Sequence, residues 1–435
     1  MIVCNILSVL FSVVVLRKSL KKQISIAIIG LIVFDIAYVF PLLVEIFLGT
    51  ANIGYYGFRL AFNDLTTQIL FMFYIFVVNL IFFAYNRKLD NRKKKISMSK
   101  TNIFYVIKEY RRRLHRGYFW WITCIVLMLL PIFVWLMSPN PLVYFSSIGN
   151  IVLHPENYGK DIIEYQNSFV KFALILGFIG VILYKLYDDN NKIYRAIIRW
   201  ISIVFITILN GKRTFVAFLL IILLMIDFFT IENKKKIYRK TVLTALVIGT
   251  YFAIYANITG KINYSNSVYS MVSEYFFKSN SVKVAIYSIL HPSELKILDY
   301  PLQTIIYDVF FFIPRSVWNN KPMPYPDYYS SAVNGFKTFT YIGWDFQTDI
   351  HAEFISNFSY LGFIITPVFL VWIARKSDKS EYGIIKILGA ILIALLQVFE
   401  YSDMYKVIMV LWFILTLGEN SGLTLKKNAM EGRHK

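Results

Sequence analysis

The chain has little of what disulfide-bonded or metal-binding proteins are built from. It contains two cysteines, Cys4 and Cys124, and both lie in apolar runs. We therefore expect no disulfide framework and no cysteine metal site. The five histidines follow no metal-ligand spacing, and the sequence contains neither a Walker A motif nor an HExxH motif.

Charged residues are also scarce, and most of them are basic. They make up 17% of the chain, against 57% apolar residues, and the mean hydropathy of +0.55 is far above that of soluble proteins. The length leaves room for about ten or more spans, each of roughly 20 apolar residues. The net charge of +20 does not require a nucleic-acid partner, because lysine and arginine collect in the cytoplasmic loops of membrane proteins.

Eleven apolar stretches predict an all-α polytopic integral membrane protein with about 11 transmembrane helices. No basic residue precedes the first stretch, which is the reverse of a cleavable signal peptide. We expect a first span with its N-terminus outside, or the remainder of a longer span. The stretches lie at residues 2–16, 24–48, 69–85, 118–138, 167–185, 196–210, 214–231, 242–258, 354–374, 383–398 and 404–418.

Basic residues fall on alternate connections, and this pattern predicts the orientation. The connections 86–117 and 232–241 are rich in lysine and arginine, whereas the outer connections 49–66 and 139–166 carry one such residue each. Since basic residues mark the cytoplasmic side, eleven spans place the N-terminus outside and the C-terminus in the cytoplasm.

The predicted spans divide the chain into four parts. Residues 1–258 form an N-terminal bundle of about eight spans, 259–353 a large extracytoplasmic loop, 354–420 the C-terminal spans and 421–435 a basic cytoplasmic tail. The loop is too long for a turn, and its many aromatics argue against disorder. Its apolar stretch 302–313 is too short to span, which favours an interfacial or re-entrant helix.

Two basic clusters on the outer side are candidates for binding a diphosphate. Lys212 and Arg213 lie in a tight turn where the positive-inside rule disfavours them, and a helix starting near Thr214 would add free N–H groups. Arg315 and Lys321 follow the apolar loop stretch, beside prolines that stiffen the backbone. Lysine and arginine at the end of a span often extend to the interface without any further role, which explains the first pair equally well. Ordinary basic residues at the rim of a loop would explain the second pair.

Three polar residues at the start of the ninth span are candidate catalytic residues. His351 or Glu353 could deprotonate a sugar hydroxyl, with Asp349 beside them. A carboxylate at a helix start also complements the helix dipole, so Asp349 could simply cap the helix. Asp35 lies mid-span in the second helix, where an acid is costly, and either function or burial against a partner explains it.

Aromatic residues of the large loop could stack against sugar rings. Trp318, Tyr325 and Trp344 are the candidates, because a flat apolar ring suits the C–H face of a pyranose. The alternative is the interfacial belt that tryptophan and tyrosine form in any membrane protein.

Three stretches carry a resemblance to one bacterial enzyme family. Gly211–Arg213 looks like its Gly-Ser-Arg turn with lysine in the middle, and 313–322 looks like its Pro-Arg-x-x-Trp-x-x-Lys-Pro stretch. Glu353–Gly362 looks like its Glu-x-x-x-Asn-Phe-Gly-x-x-Gly segment, although Ser359 and Tyr360 depart from the small-residue pattern. Over most of its length the chain resembles the oligosaccharide repeat-unit polymerases of O-antigen and capsule synthesis.

The resemblance implies a fold and a reaction. The fold is a GT-C-like membrane glycosyltransferase related to the O-antigen ligases, in the bacterial cytoplasmic membrane. A glycan on undecaprenyl diphosphate would be transferred en bloc to a newly flipped lipid-linked repeat, without a metal or other cofactor. Arg213, Arg315 and Lys321 would neutralise the leaving diphosphate, and His351 or Glu353 would be the base. Membrane lipids, a flippase and a chain-length regulator are the implied partners.

Two alternatives remain open at this point. An O-antigen ligase shares the chemistry and is not distinguished by these motifs. A polysaccharide transporter or flippase typically shows internal repeats and paired broken helices at mid-membrane, and we find no such pairing in the sequence.

Overall fold

The protein is mostly helical, and the part of the chain that is described contains no strand. The computed structural model describes residues 2–20, 25–93, 118–146, 157–187, 193–210, 213–230, 234–258, 268–313, 315–342, 345–380, 382–398 and 403–420.

Each predicted apolar stretch overlaps a helix in the part of the chain that the structure describes. Among the described residues, five helical stretches are long and apolar enough to cross a membrane, namely Ile2–Leu20, Ile26–Leu48, Leu65–Lys88, Lys160–Lys185 and Ile350–Lys379. The other predicted spans coincide with the helices Tyr118–Leu136, Ile193–Asn210, Arg213–Thr230, Lys234–Ile258, Gly383–Val398 and Asp403–Asn420. The all-helical class and the apolar helices of a membrane protein are confirmed, while eleven crossings and their orientation stay predictions.

Where it is described, the predicted large loop contains four short helices joined by non-helical segments. Its helices are Val268–Phe276, Ser279–Leu290, Gln303–Val309 and Tyr325–Val333. We call Gln303–Val309 the loop helix; it lies inside the apolar stretch 302–313. Two further short helices, Tyr56–Asn63 and Val143–Ser146, lie in outer connections predicted from the sequence.

The second apolar helix is interrupted at its centre. A π-helical turn, Asp35–Val39, separates the α-helices Ile26–Phe34 and Phe40–Leu48. Pro41 has no N–H, so the carbonyl of Ala37 lacks its usual donor four residues on. The backbone N–H of Lys278 donates to that carbonyl at 3.2 Å, and the interruption therefore becomes an attachment point for the large loop.

The chain divides into two compact units, Met1–Lys100 with Lys261–Lys435, and Thr101–Gly260. In the second unit, Asp227 pairs with Lys185 at 2.5 Å and with Lys240 at 2.7 Å. A Cβ on Gly180 would lie 2.6 Å from the backbone nitrogen of Met128, so glycine permits close backbone contact there.

A buried ion pair joins the large loop to the second apolar helix in the first unit. The Nζ atom of Lys283 lies 2.9 and 3.0 Å from the carboxylate oxygens of Glu45, and the lysine side chain is 0% exposed. Asn5 donates a further hydrogen bond to Glu45 at 3.2 Å. The pair thereby fixes the helix Ser279–Leu290 against the second apolar helix.

Removing one partner of this ion pair should destabilise the protein far more than removing both. We expect Lys283→Met to cost about 3–5 kcal/mol, because an uncompensated carboxylate stays buried. Adding Glu45→Gln removes that charge and keeps an acceptor for Asn5, so the double variant should recover much of the loss. Thermal unfolding midpoints in detergent test this expectation, with the exposed Lys296→Met as the control. A double variant as unstable as the single one would contradict it.

Candidate functional site

Asp349 caps the helix Ile350–Phe358, which we call the capped helix. Its carboxylate accepts from the backbone N–H of Ala352 at 3.0 Å and from the hydroxyl of Ser281. Burial raises the pKa of Asp349, although the Ser281 hydrogen bond and the nearby Lys278 oppose this shift. Burial also lowers the pKa of Lys278 to about 8, against the attraction of Asp349. Asp349 thus sits in a buried polar network that holds the start of the capped helix.

His351 lies among aromatic side chains and is fully buried. Its Nδ1 atom is hydrogen-bonded to the hydroxyl of Tyr74. The rings of Phe34 and Tyr38 lie 5.3 and 4.8 Å from its own, measured between centroids. These neighbours suit a histidine that orients and packs the capped helix.

Glu353 lies on a different side of the capped helix from His351. There it is hydrogen-bonded to the loop helix. Its carboxyl accepts from the Thr304 hydroxyl at 2.5 Å, and the carboxyl of Asp308 lies close enough to interact with it electrostatically. Asn357 donates to the Thr304 hydroxyl oxygen at 2.7 Å and accepts from the Thr304 N–H at 3.3 Å. The predicted Glu-x-x-x-Asn spacing therefore places two side chains on one face, one turn apart, against Thr304.

Two lysines meet over the ring of Tyr307 in the loop helix. The Nζ atoms of Lys406 and Lys321 lie 4.4 and 4.8 Å from the ring centroid. Lys406 also pairs with Asp308 at 3.2 Å, and Lys321 donates to the carbonyls of Phe311 and Ile313 at 2.8 and 3.0 Å. Both lysines are largely buried. Of the two, Lys406 places its positive charge beside the carboxyl of Asp308.

Lys406 was not singled out from the sequence, although a signal was present. It lies inside the eleventh predicted span, 404–418, where a lysine is costly. Nothing in the sequence marked Asp308 as a candidate site residue, because a single acidic residue in a loop outside the predicted spans is common. In the described residues, no group of three His, Cys, Asp or Glu side chains could hold a metal ion.

Arg315 contacts the backbone of Lys321. Its guanidinium donates to the carbonyls of Lys321 and Pro322 at 2.6 and 2.8 Å. Lys212 falls outside the described residues. Arg213 is the first residue of the helix Arg213–Thr230, in the other compact unit.

The three predicted sugar-binding aromatics differ in their surroundings. Trp318 is half-buried, with its ring 6.1 Å from that of Phe310 between centroids. Tyr325 is buried, and its hydroxyl is hydrogen-bonded to the Ser356 hydroxyl at 2.8 Å. Trp344 falls outside the described residues. Trp318 is thus the described candidate nearest to solvent.

Comparison of the chain with protein-family models, with curated proteins and with solved structures finds no match. Its function therefore has to be inferred from the chemistry of these side chains, because fold alone does not specify an activity.

A second carboxyl pair, Asp327 and Asp345, lies behind Arg315. Asp327 is buried in the helix Tyr325–Val333. Burial and the hydrogen-bonded neighbour Asp345 raise the pKa of Asp327 to about 8, against the attraction of Arg315. The folded protein therefore holds a proton here that the unfolded chain would release near pH 4.

This pair should make the protein less stable as the pH rises. Between about pH 4 and pH 8 the folded state binds more protons than the unfolded state, so stability falls across this range and levels off above it. Asp327→Asn should flatten this dependence, because its amide can donate to Asp345 without ionising. Unfolding midpoints across this range provide the measurement, with the exposed Asp299→Asn as the control. An unchanged slope in Asp327→Asn would show that another group is responsible.

Proposed function

We propose that this protein polymerises undecaprenyl-diphosphate-linked oligosaccharide repeats at the outer face of the bacterial cytoplasmic membrane, by en bloc glycosyl transfer. The observation that supports this most is the position of three cationic side chains, Arg315, Lys321 and Lys406, beside an exposed apolar strip. The strip comprises Val309, Phe310, Phe312 and Val317, which are exposed by 41% to 77%.

A lipid-linked sugar donor has three chemically distinct parts, and the site offers a surface for each. The apolar strip suits a polyprenyl chain, because burial of apolar groups is favourable and non-directional. The cations suit a diphosphate, since arginine grips oxygens in pairs and lysine acts as a point charge. Trp318, which packs against Phe310, suits a sugar ring.

The proposed reaction displaces the lipid diphosphate from the anomeric carbon. An acceptor hydroxyl forms the new carbon–oxygen bond, while the bond between the anomeric carbon and the diphosphate oxygen breaks. The electrons of that bond leave with the diphosphate, where the cations neutralise the developing charge. The hydroxyl proton goes to a base, for which His351 and Glu353 are the candidates from the sequence.

Deleting the gene in its native host should remove the glycan ladder from a gel and leave a single capped repeat. Complementation with Lys321→Met or Arg315→Ala should lower polymerisation by about 10²–10³-fold, because each removes a charge that stabilises the transition state. Lys337→Met, an exposed lysine of the same loop, is the matched control and should restore the ladder.

The same gel distinguishes the other functions. A ladder that persists on the lipid carrier and never reaches its final acceptor would indicate an O-antigen ligase. An unchanged ladder in the deletion would contradict polymerisation, and repeats retained on the cytoplasmic side would indicate a flippase. Levels of each variant in the membrane exclude loss of the protein as the cause.

A further inference from the structure

The first helix, Ile2–Leu20, exposes its apolar residues and buries its polar ones. Val3, Leu10 and Val13 are 56% to 68% exposed, whereas the buried side carries an asparagine and three serines. We call these four residues the polar seam: Asn5, Ser8, Ser12 and Ser19. Polar side chains on the inward side of a helix hydrogen-bond to neighbouring helices when the outward side meets lipid. The seam is therefore where the first helix contacts the rest of its unit.

The helix Leu65–Lys93, which we call the third helix, lies along the polar seam. Asn79 donates from its Nδ2 atom to the Ser12 hydroxyl oxygen at 3.0 Å. Asn86 accepts at 2.8 Å from the hydroxyl of Ser25, just beyond the end of the first helix. The first and third helices therefore run in the same direction.

A second polar level follows two turns beyond the first. Ser19 comes seven residues after Ser12, and Asn86 comes seven residues after Asn79. Seven residues are two helical turns and span about 10 Å, so Ser19 and Asn86 lie level with each other. Both are almost fully buried. The seam is thus lined by polar side chains from two helices.

Asp35 lies level with the Ser12 part of the seam. The π-helical turn that carries it packs against the first helix. Asn5 bonds to Glu45 between these two antiparallel helices, which sets their register. Asp35 comes ten residues before Glu45, and ten residues of helix span about 15 Å. The same distance along the first helix leads from Asn5 to the turn between Ser12 and Val15.

Both carboxyl oxygens of Asp35 are buried, and neither accepts a hydrogen bond from the described residues. The Ser12 hydroxyl lies close enough to interact with this carboxyl electrostatically, outside hydrogen-bonding geometry. Along the seam in the described chain, the Oδ1 atom of Asn79, the hydroxyl of Ser19 and the Nδ2 atom of Asn86 are also buried without a hydrogen-bond partner. Buried polar atoms are nearly always paired, so a run of unpaired ones indicates a place for a small polar ligand.

The lysines of the loop element that packs against the π-helical turn are committed to other partners. The helix Ser279–Leu290 contacts the turn, and both carboxylate oxygens of Glu45 hold its Lys283. Lys278, at the start of that helix, directs its Nζ atom to the carbonyl of Gln347 at 3.0 Å. Neither ammonium group is therefore directed at the seam.

The helices on the seam side bring no cation to Asp35 in the part of the chain that is described. The buried face of the first helix has no ionisable side chain, while Arg17 and Lys18 at its far end are exposed. The third helix carries Tyr74, whose hydroxyl is bonded to His351. An ionised carboxylate buried without a cation is costly, so a carboxyl in such a place takes up a proton instead.

We propose that Asp35 is a proton-binding site inside the apolar helices and that it exchanges its proton through the end of the polar seam formed by Ser19 and Asn86. At the opposite end the seam stops at the ion pair of Glu45 and Lys283, which are bound to each other. Toward Ser19 the unpaired polar atoms continue, and they can pass a proton on through water. This site does not depend on the function proposed above.

Infrared spectra of the protein in detergent test the proton on Asp35. At neutral pH, the spectrum of the wild type minus that of Asp35→Asn should show the C=O band of a protonated carboxyl. Asp35→Glu should shift this band and not remove it, because it retains a carboxyl. The exposed Asp299→Asn is the matched control and should leave the band unchanged. Unfolding midpoints show that each variant is folded.

Two results would overturn the proton site. Absence of the difference band would show that Asp35 is ionised in the folded protein. A band that sodium ions remove at constant pH would show that the site takes a metal cation and not a proton.

The rate at which the band shifts after transfer into D₂O tests the route. Ser19→Ala should slow this exchange several-fold, because it removes a hydroxyl from the end of the seam through which the proton leaves. Ser8→Ala is the matched control on the same helix and should leave the rate unchanged, since its hydroxyl is bonded to the Cys4 carbonyl at 2.8 Å. Slower exchange in Ser8→Ala alone, or equal rates in both variants and the wild type, would overturn the route.

Discussion

The buried ion pair of Lys283 and Glu45 is the interaction on which the candidate site depends most. It fixes the helix Ser279–Leu290 against the second apolar helix of its unit, and both side chains are almost completely buried. The preceding Lys278 bonds to the interrupted turn of that apolar helix, and Ser281 bonds to Asp349. Removing one partner of such a buried pair leaves an uncompensated charge, which is costly. The pair therefore holds the helix that carries Lys283 in place.

The capped helix is held in the same place through its cap residue, Asp349. Asp349 joins the helix start to Ser281, and Tyr74 holds His351 a half-turn further on. Glu353 and Asn357 then hold Thr304 of the loop helix. Hydrogen bonds in a buried polar network hold its members in place, and a member that loses its partner is costly to bury. The polar residues near the start of the ninth predicted span are therefore structural and functional candidates at once.

The basic residues of the loop also serve both the structure and the proposed function. Arg315 and Lys321 direct their N–H groups at backbone carbonyls, which fixes the course of the chain around the prolines. Their charges remain, and Lys406 adds a third from the last helix. A site that must stabilise a diphosphate needs cations that are already in place, because reorganisation during the reaction would cost the stabilisation they provide.

The sequence by itself determined where the helices lie, because apolar runs of this length have one stable form when water is excluded. It also indicated Asp349 as a cap and placed Arg315 near Lys321, since both depend on residues close in the chain. Only the tertiary structure decided that Lys406 pairs with Asp308, that Thr304 bonds to Glu353, and that His351 and Tyr325 are buried. These contacts join segments that are far apart in sequence, and no local pattern of apolar, charged or turn residues encodes which distant side chain will face another.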